Sequence, residues 1–419
     1  WWKKRNAAAD HALIDSVRGV TKHLVTNTTT AEITANVGTE LVSFDSDGFT
    51  LGAAAQTNSI NGTSASIVAW NWKAGGATPS KTYAVTVVSD SGNKYRFDGF
   101  GTSAVALDLQ EGGTYKFDQS HSSNSGHPFR FSTTSNGSHG GGSEYTTGVT
   151  TSGTPGNSGA YTQITVASGA ATLYYYCTNH SNMGGQANTN STYGSSNFSG
   201  AIQSTSSANV DAGFSIVSWT SNGSNGLGVG HGLSSAPQII IYRPRNQVNE
   251  WYTWLNALVD SSQDYVRLNN TIAKVDINSS TYGVPSSTLI SNFGFTNNIT
   301  LIAYCFHSVD GYSKVGSYTG NGSTDGTFVY TGFRPAFVMW KNTAAATMWQ
   351  IYDTERAADN VMSEYLQANA SNAEASYPFV DFTSNGFKHR HTSGHSNGSG
   401  VNYIYLAFAE TPFKHSNAR

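Results

Sequence analysis

Charged residues are scarce in this 419-residue chain. Asp, Glu, Lys and Arg together make up 12% of it, roughly half of the ~25% that is usual for soluble proteins. The formal net charge is −3 at pH 7, which argues against a nucleic-acid partner because such binding needs a basic face. No apolar run approaches the ~18 residues that a membrane-spanning helix requires. The sequence therefore predicts neither nucleic-acid binding nor membrane insertion.

Cysteines and the motifs of catalysis are also rare. Two cysteines cannot build a disulfide framework, and Cys305 lies in the apolar segment LIAYCFH, where a small buried thiol is the expected role. The sequence contains no phosphate-binding loop and no HExxH zinc motif. It also lacks two conspicuous carboxylates at a useful spacing. We therefore expect a protein that is not an enzyme.

Glycine and aromatic residues are abundant instead. With 44 Gly, 22 Tyr, 20 Phe and 9 Trp, the composition is not that of a disordered chain. Segments such as KTYAVTVVS, HPFRFST and NYIYLAF alternate or run apolar between clusters of Gly, Asn and Ser, a pattern that predicts short β-strands joined by turns. The one segment rich in helix formers, residues 355–370, is predicted as a turn or short helix. The fold class that follows is all-β.

Internal repeats organise the chain. Trp2-Lys3 aligns with Trp340-Lys341 at an offset of 338 positions. The same offset places Asp15 and Arg18 on Asp353 and Arg356, and FDSDGF on FTSNGF. A third copy lies between them, because PQIIIYR at 237–243 matches PAFVMWK at 335–341. Each of these two prolines is followed at the same spacings by a Trp and a Leu. The matched residues are Trp251 and Leu268 in one copy, and Trp349 and Leu366 in the other.

The repeats define three modules: module one (residues 1–76), module two (209–315) and module three (316–413). Residues 81–204 form a separate domain inserted between modules one and two, and residues 414–419 form a C-terminal tail. Modules of about 100 residues with many short strands predict antiparallel β-sandwiches of the jelly-roll or laminin-G-like kind. Module one lacks the lead-in GFRPAF of module three. We expect it to be a truncated repeat with more sequence upstream.

The inserted domain carries the sharpest chemical signal of the sequence. In YYYCTNHSNMGG, Cys177, His180 and Met183 follow the spacing C-x2-H-x2-M, and the upstream segment GHPFRF supplies His127. Two imidazoles, a thiolate and a thioether are the ligands of a mononuclear blue-copper centre, in which soft sulfur selects copper and Met is the long axial ligand. Two nearby alternatives, His121 and His139, do not sit in a strand of the expected kind.

These residues resemble the cupredoxins of the plastocyanin and amicyanin kind, and the C-x2-H-x2-M spacing is similar to the short amicyanin loop. The resemblance implies a Greek-key β-sandwich that holds one type 1-like copper ion, the only cofactor expected. Nδ1 of His127, Sγ of Cys177 and Nδ1 of His180 would then form the ligand plane, with Sδ of Met183 at axial range. The alternative is a sandwich that has kept the loop but binds no metal.

Two other polar groups have simpler explanations. The segment KHRHTSGH at 388–395 holds three histidines, but it lies at a predicted hairpin tip, where a polar turn is the expected account. The pairs Asp15/Arg18 and Asp353/Arg356 recur at the same repeat position, whereas module two has no such pair. We expect these to be structural ion pairs rather than ligand sites.

Taken together, the modules resemble tail- and fibre-type virion proteins of marine tailed bacteriophages. The likeness covers nearly the whole chain and rests on FDSDGFTLG, WNWKAGG, GHPFRFSTTSNGSHGGGSEYTTGV, YYYCTNHSNMGG, TGNGSTDGTFVYTGFRP and YIYLAFAETPFKHSNAR. It implies an extracellular, structural and adhesive virion protein. Its partners would be other virion proteins, further copies of itself (for example in a trimer) and a host-surface glycan or protein. Two alternatives stay open: an extracellular copper redox protein with carbohydrate-binding modules, and a bacterial surface or matrix adhesin.

Overall fold

Strands account for nearly all the regular structure of the chain. The computed structural model describes residues 1–45, 47–54, 60–62, 66–75, 80–190, 194–258, 264–277 and 283–410. In that part of the chain there are 33 β-strands, no α-helix and three short 3-10 helices, at Ser122–Asn124, Gly137–Gly140 and Asn256–Leu258. The all-β prediction is therefore confirmed. Among the same residues, no helix has the length and apolar character needed to cross a membrane.

Module one contributes seven short strands. They are β1 Trp2–Arg5, β2 Ala12–Ile14, β3 Lys22–Leu24, β4 Ile33–Thr34, β5 Leu41–Phe44, β6 Phe49–Leu51 and β7 Ile67–Trp70. Five of them form a sheet in the order β4-β3-β2-β1-β7, and β5 and β6 form a separate hairpin.

The inserted region folds as two sheets around one aromatic core, and we call it the middle unit. Its strands are β8 Ser80–Ser89, β9 Asn93–Phe97, β10 Leu107–Gln110, β11 Thr114–Asp118, β12 Phe129–Ser132, β13 Val149–Ser152, β14 Tyr161–Thr165, β15 Leu173–Cys177 and β16 Gln186–Asn190. The sheet orders are β13-β14-β11-β8-β9 and β10-β16-β15-β12. Both sheets are mixed, because β8 pairs parallel with β11 and β10 pairs parallel with β16. Alternate residues such as Tyr115 and Phe117 point into the core and are fully buried, as the period of two requires.

Module two is built around a seven-stranded sheet in the order β17-β18-β19-β25-β21-β22-β23, with β20 and β24 paired beside it. The strands are β17 Ser195–Asn197, β18 Ser204–Asn209, β19 Phe214–Thr220, β20 Gly228–Gly230, β21 Ile239–Pro244, β22 Tyr252–Leu255, β23 Tyr265–Arg267, β24 Leu289–Ser291 and β25 Thr300–Phe306. Although β17 lies within the predicted 81–204 domain, it pairs with β18. Phe198, just after it, packs into the core of the middle unit.

Module three forms an antiparallel, barrel-like sheet of eight strands that nearly closes on itself, in the order β26-β33-β28-β29-β30-β31-β32-β27. The strands are β26 Ser313–Thr319, β27 Phe328–Tyr330, β28 Pro335–Asn342, β29 Gln350–Asp353, β30 Met362–Gln367, β31 Ala375–Thr383, β32 Gly386–His389 and β33 Asn402–Ala409. The turn or short helix predicted at 355–370 was wrong, because much of that segment is β30. Leu366 pairs with Ile351 in the sheet, and this packing outweighs helix propensity.

The three modules share one hydrophobic core, called here the central core. Module one contributes Trp2, Leu13, Leu24 and Trp70 to it, and modules two and three contribute most of the rest. Modules two and three each have a second core on the other face of their sheets. The repeats are therefore packed against one another rather than strung along the chain.

Contacts between the modules repeat in one direction around the central core. In each module a ring nitrogen pairs with a backbone carbonyl of another module. The pairs are Trp251 Nε1 with Val25 O (2.9 Å), Trp349 Nε1 with Arg267 O (2.8 Å) and His11 Nε2 with Gln367 O (3.0 Å). Module two thus contacts module one, module three contacts module two, and module one contacts module three. The arrangement is cyclic, with approximate threefold symmetry.

A second set of hydrogen bonds fixes the equivalence of the modules. The residues whose rings make these contacts also donate from their backbone N–H to an Asn side chain of their own module. Each Asn follows, by two positions, the residue whose carbonyl accepts the ring contact from another module. The pairs are His11 with Asn27, Trp251 with Asn269 and Trp349 with Asn369, at 2.8–2.9 Å. His11 can make the contact that a Trp makes in the other modules. Its Nδ1 accepts from Trp2 Nε1 at 2.9 Å, so the proton of the ring is on Nε2, which donates to Gln367 O.

The register of β1 differs by one residue from the sequence alignment. Trp2 packs in the central core together with Ile241 and Met339, whereas Trp340, its expected counterpart, lies in the separate core of module three. Backbone bonds agree, since Glu374 N donates to Asn6 O as Lys274 N donates to Thr343 O. A shift of one residue moves every side chain of a strand to its other face. The offset of 338 holds from His11 to Arg18 but not within β1.

Both predicted Asp–Arg ion pairs are present. Arg18 Nε lies 2.5 Å from Asp15 Oδ2 and Arg356 Nε lies 2.7 Å from Asp353 Oδ2. Each Arg also reaches a Glu that the sequence did not reveal, Glu32 at 3.2 Å and Glu374 at 3.0 Å. At the matching positions of module two are Leu255 and Leu258, both in the central core. The pairs are structural, as expected, and an apolar pair replaces them in one module.

Candidate metal centre

Strand pairing brings two of the predicted ligands to the same end of one sheet. β12 and β15 run antiparallel with Phe129 opposite Cys177, so His127, two residues before Phe129, lies beside the cysteine. The loop from 178 to 185 then leads from β15 into β16, which pairs with β15 again. His180 and Met183 lie on this loop. Four residues from two segments are thereby collected at one edge of the middle unit.

Three ligand atoms converge within this edge. Cys177 Sγ lies 3.6 Å from His180 Nδ1 and 3.9 Å from His127 Nδ1, and the two imidazole centroids are 4.5 Å apart. Typical metal–nitrogen and metal–sulfur distances place two such ligands of one ion roughly 3.6–3.8 Å apart. Within the described ranges, this is the one group of at least three His, Cys, Asp or Glu side chains close enough to share an ion. The group could hold a metal ion.

The surroundings of His127 favour the neutral form that binds a metal. Cys177 is fully buried, His127 is partly buried and His180 is exposed. Burial, followed by the neighbouring His180, lowers the pKa of His127 below its usual value, which favours the neutral imidazole that a metal needs. One imidazole of the site therefore faces solvent while the thiol is shielded from it.

Met183 is placed by the backbone on either side of it. Its side chain is 1% exposed and belongs to the same core cluster as Cys177. Its carbonyl accepts from Tyr95 N at 2.9 Å. The loop then turns back at Gly184, where any Cβ would overlap the Tyr175 carbonyl oxygen. The glycine is needed because two backbone segments approach each other closely here.

The residues that hold His127 in place were missed by the sequence analysis. Gln119, 1% exposed, donates from Nε2 to His127 O at 2.9 Å and accepts from Phe129 N at 3.1 Å. Tyr95 Oη donates to the same His127 carbonyl at 2.9 Å. Burial, with Cys177 nearby, raises the pKa of Tyr95 well above its usual value, so its hydroxyl stays a donor. Neither Gln119 nor Tyr95 belongs to a sequence motif, so the sequence carried no signal that they hold His127.

The alternative histidines have other partners. His139 Nε2 pairs with Cys177 O at 3.1 Å, and His121 Nδ1 pairs with Ser123 Oγ at 2.9 Å. The three histidines of segment 388–395 do not converge. His389 is fully buried among aromatic rings, whereas His391 pairs with Tyr377 Oη at 2.9 Å.

Comparison with known proteins identifies a family but no relative of known activity. Searches of curated proteins and of solved structures each found no match. A family model described as a domain of unknown function, DUF7483, matches residues 1–106 and 165–412. The matched part includes Cys177, His180 and Met183, whereas His127 lies in the unmatched segment. Because the match covers well over half of the chain, the protein belongs to the DUF7483 family.

Proposed function

We propose that the middle unit is a cupredoxin-like Greek-key sandwich that binds one copper ion through His127, Cys177, His180 and Met183. The observation that carries the proposal is the convergence of one sulfur and two Nδ1 atoms at distances that suit a shared ion. Gln119 and Tyr95 hold the backbone at His127, and Gly184 sets the course of the loop. Bound copper would supply a one-electron redox couple or a structural crosslink between strand β15 and the segment before β12.

The donor set favours copper over zinc. Zinc sites are usually completed by a further Cys, His or carboxylate, and no such side chain joins the three among the residues described here. A buried thioether beside a thiolate and two imidazoles is the set that copper prefers. Exposure of His180 is compatible with electron transfer, since a partner could approach the site through that imidazole.

A metal titration tests this proposal. Purified protein should bind one equivalent of Cu(II) and develop the intense blue colour of thiolate-to-copper charge transfer. Cys177→Ala should abolish the colour. Cys305→Ala is the matched control, because Cys305 is equally buried but lies in module two, and it should leave the colour unchanged. Absence of stoichiometric copper binding by the folded protein would refute the proposal.

We further propose that the remainder of the chain is a structural and adhesive component of a virion of the tailed-phage type, outside the cell. The supporting observations are the resemblance in sequence and the packing of three all-β repeats around one core. In this proposal the repeats are sandwich modules of the jelly-roll or laminin-G-like kind. Low charge with abundant Tyr, Trp, Ser and Asn suits a surface that contacts other molecules. Partners would be other virion proteins, further copies of the chain and a host-surface glycan or protein.

Particle fractionation tests the virion assignment. Gradient-purified phage particles from a host that produces this protein should contain the chain at a fixed ratio to the capsid protein, as measured by quantitative mass spectrometry. Recovery of the chain only as a free monomer would contradict this assignment. It would favour the copper redox protein with carbohydrate-binding modules. Recovery from the cell surface or matrix would favour the adhesin. The copper site is tested separately and does not depend on this result.

A further inference from the structure

One strand of the middle unit reaches the metal edge from the opposite sheet. β9 lies at the end of the sheet β13-β14-β11-β8-β9, whereas β12 and β15, next to which the ligands lie, belong to the other sheet. The outer edge of β9 is therefore available to bond with the loop that carries Met183. Tyr95 N donates to Met183 O at 2.9 Å, and Lys94 Nζ donates to Asn182 O. β9 thus connects the two sheets at the candidate metal centre.

The side chain of Tyr95 lies among the other ligand residues. It is fully buried, and its hydroxyl donates to His127 O at 2.9 Å. Its ring packs edge-to-face on Phe129 at a centroid distance of 5.1 Å, and Phe129 lies opposite Cys177 in the sheet. After burial, Cys177 is the largest cause of the raised pKa of Tyr95, so the hydroxyl also lies close to the cysteine sulfur. Polar groups of Tyr95 thereby reach three of the four ligand residues.

The hydroxyl of Tyr95 shares its supporting role with other groups. His127 O also accepts from Gln119 Nε2 at 2.9 Å. The loop after β15 is held at Asn182, which has a positive φ of 59° and donates from its backbone N to Asn136 Oδ1 at 2.7 Å. A Phe at position 95 would keep the backbone bond of that residue to the loop. The hydroxyl can therefore be removed while the ligands stay in place, which separates its electrostatic effect from the positions of the ligands.

The hydroxyl hydrogen has two acceptors within reach. It rotates about the C–O bond, so the Tyr95 hydroxyl can donate either to His127 O or to Cys177 Sγ. A thiol is a weak acceptor, but a cysteine that binds a metal is a thiolate, and hydrogen bonds to a charged acceptor are roughly twice as strong as neutral ones. Metal binding should therefore turn the donor toward the sulfur, while Gln119 keeps the His127 carbonyl satisfied.

A donor at this sulfur changes the electronic properties of a blue-copper site. Hydrogen bonding around the cysteine sulfur tunes the reduction potential of such sites. A donor withdraws electron density from the thiolate, which weakens its donation to the metal and favours Cu(I) over Cu(II). We propose that the Tyr95 hydroxyl raises the reduction potential of the centre by donating to the Cys177 thiolate, a role that rests on the copper site proposed above.

Spectroelectrochemical titration of the copper-loaded protein tests this role. Tyr95→Phe should keep the copper stoichiometry and the blue colour, whereas its reduction potential should fall by about 59 mV, the equivalent of a tenfold weaker preference for Cu(I). The charge-transfer band should also shift, because it originates at the same sulfur. Tyr83→Phe is the matched control, since Tyr83 is buried in the same core and its hydroxyl donates to Ser196 O of β17; its potential should equal that of the parent. Urea denaturation of the metal-free variants measures any difference in stability separately.

Three results would overturn the proposal. An unchanged potential in folded Tyr95→Phe would show that the hydroxyl does not act on the thiolate. An equal shift in Tyr83→Phe would mean that the loss of any buried hydroxyl of this core has the same effect. Loss of copper binding in Tyr95→Phe would show that the hydroxyl holds a ligand in place rather than setting the potential. Failure of the parent protein to bind copper is a different result, because it refutes the copper site itself and this role with it.

Discussion

The Tyr304 hydroxyl of module two donates to the Asp15 carboxylate of module one at 2.6 Å. The bond joins residues 289 positions apart, and both side chains are buried. Trp70 makes the equivalent contact one module further, with Nε1 3.1 Å from Asp353 Oδ2. At the third position the counterparts are Leu406 and Leu255, and the central core is apolar there. The equivalent contact between modules is thus a hydrogen bond to a buried carboxylate in two cases and an apolar contact in the third.

Tyr304→Phe should lower the free energy of unfolding by about 1.5–3 kcal/mol, the usual contribution of a hydrogen bond to a charged group. Urea denaturation followed by tryptophan fluorescence measures the change. Tyr330→Phe serves as control because Tyr330 is 64% exposed. Equal effects of the two substitutions would show that the bond to Asp15 contributes nothing.

Asp15→Leu alone should cost about 3–5 kcal/mol, because it removes the carboxylate closest to the buried Arg18 and leaves only Glu32 to compensate that charge. The double variant Asp15→Leu/Arg18→Leu should recover much of that loss, since it reproduces the Leu255 and Leu258 of module two. A double-mutant cycle in urea measures the coupling. If the double variant is less stable than the single one, the apolar solution of module two does not transfer to module one.

Acid should destabilise the protein through its buried histidines. Burial lowers the pKa of His389 to about 3, and burial together with nearby Lys4 lowers that of His11 to about 3. The folded protein thus takes up these protons only well below pH 6.5, where the unfolded chain already binds them. Stability is therefore lost as pH falls from about 6.5 toward about 3, by about 2 kcal/mol per histidine at pH 5.

His389→Phe isolates one of these contributions. Neither ring nitrogen of His389 has a hydrogen-bond partner among the described residues, and Tyr318, Trp340 and Phe387 surround the ring. The difference in unfolding free energy between pH 7 and pH 5 should shrink by about 2 kcal/mol in this variant. His395→Phe, at an exposed position, should leave that difference unchanged. An unaltered difference in both variants would mean that His389 does not titrate as its burial predicts.

Gly184→Ala should distort the metal loop, because a methyl group there overlaps the Tyr175 carbonyl oxygen. We expect at least a tenfold loss of copper affinity and a weaker blue absorption. Gly101→Ala adds the same methyl group in open space and should change neither. Normal copper affinity in Gly184→Ala would show that the ligands do not require this loop path.

Gln119→Ala should weaken copper binding by about 10–100-fold, as is typical when a group that orients a metal ligand is removed. Gln119→Glu should lose nearly as much copper affinity as Gln119→Ala, because a carboxylate cannot donate to the His127 carbonyl. Competition with a chelator of known affinity gives the constants, and circular dichroism checks the fold. Unchanged affinity with an intact fold would exclude a positioning role for Gln119.

The features predicted best from the sequence are those formed by residues a few positions apart. Cys177 and His180 are three residues apart in sequence, and His127 lies just before a strand that pairs with β15, so their convergence could be anticipated. The Asp15/Arg18 and Asp353/Arg356 pairs were found for the same reason. Glu32 and Glu374 were not, because they follow their Arg partners by 14 and 18 residues, and loops of unequal length hide the equivalence.

What the sequence could not reveal depends on long-range pairing. The Asn residues that mark the three modules lie 16, 18 and 20 positions after their partners, so no fixed pattern exposes them. Trp2 was aligned with Trp340 by residue type, yet its partner across the sheet, Trp70, sets the register. The strand at 362–367 likewise forms because Ile351 and Met362 have neighbours in a sheet, a fact that local propensity does not contain.

The first strand of the middle unit lies beside the first strand of module two. Lys81 Nζ and Tyr83 Oη, at the start of β8, both donate to Ser196 O of β17, at 3.1 and 2.9 Å, so the start of β8 lies beside β17. The cyclic contacts among the modules run through His11, Trp251 and Trp349, none of which lies in this unit. We therefore expect that a domain whose ends are equally close could replace the middle unit while the contacts among the three modules are kept.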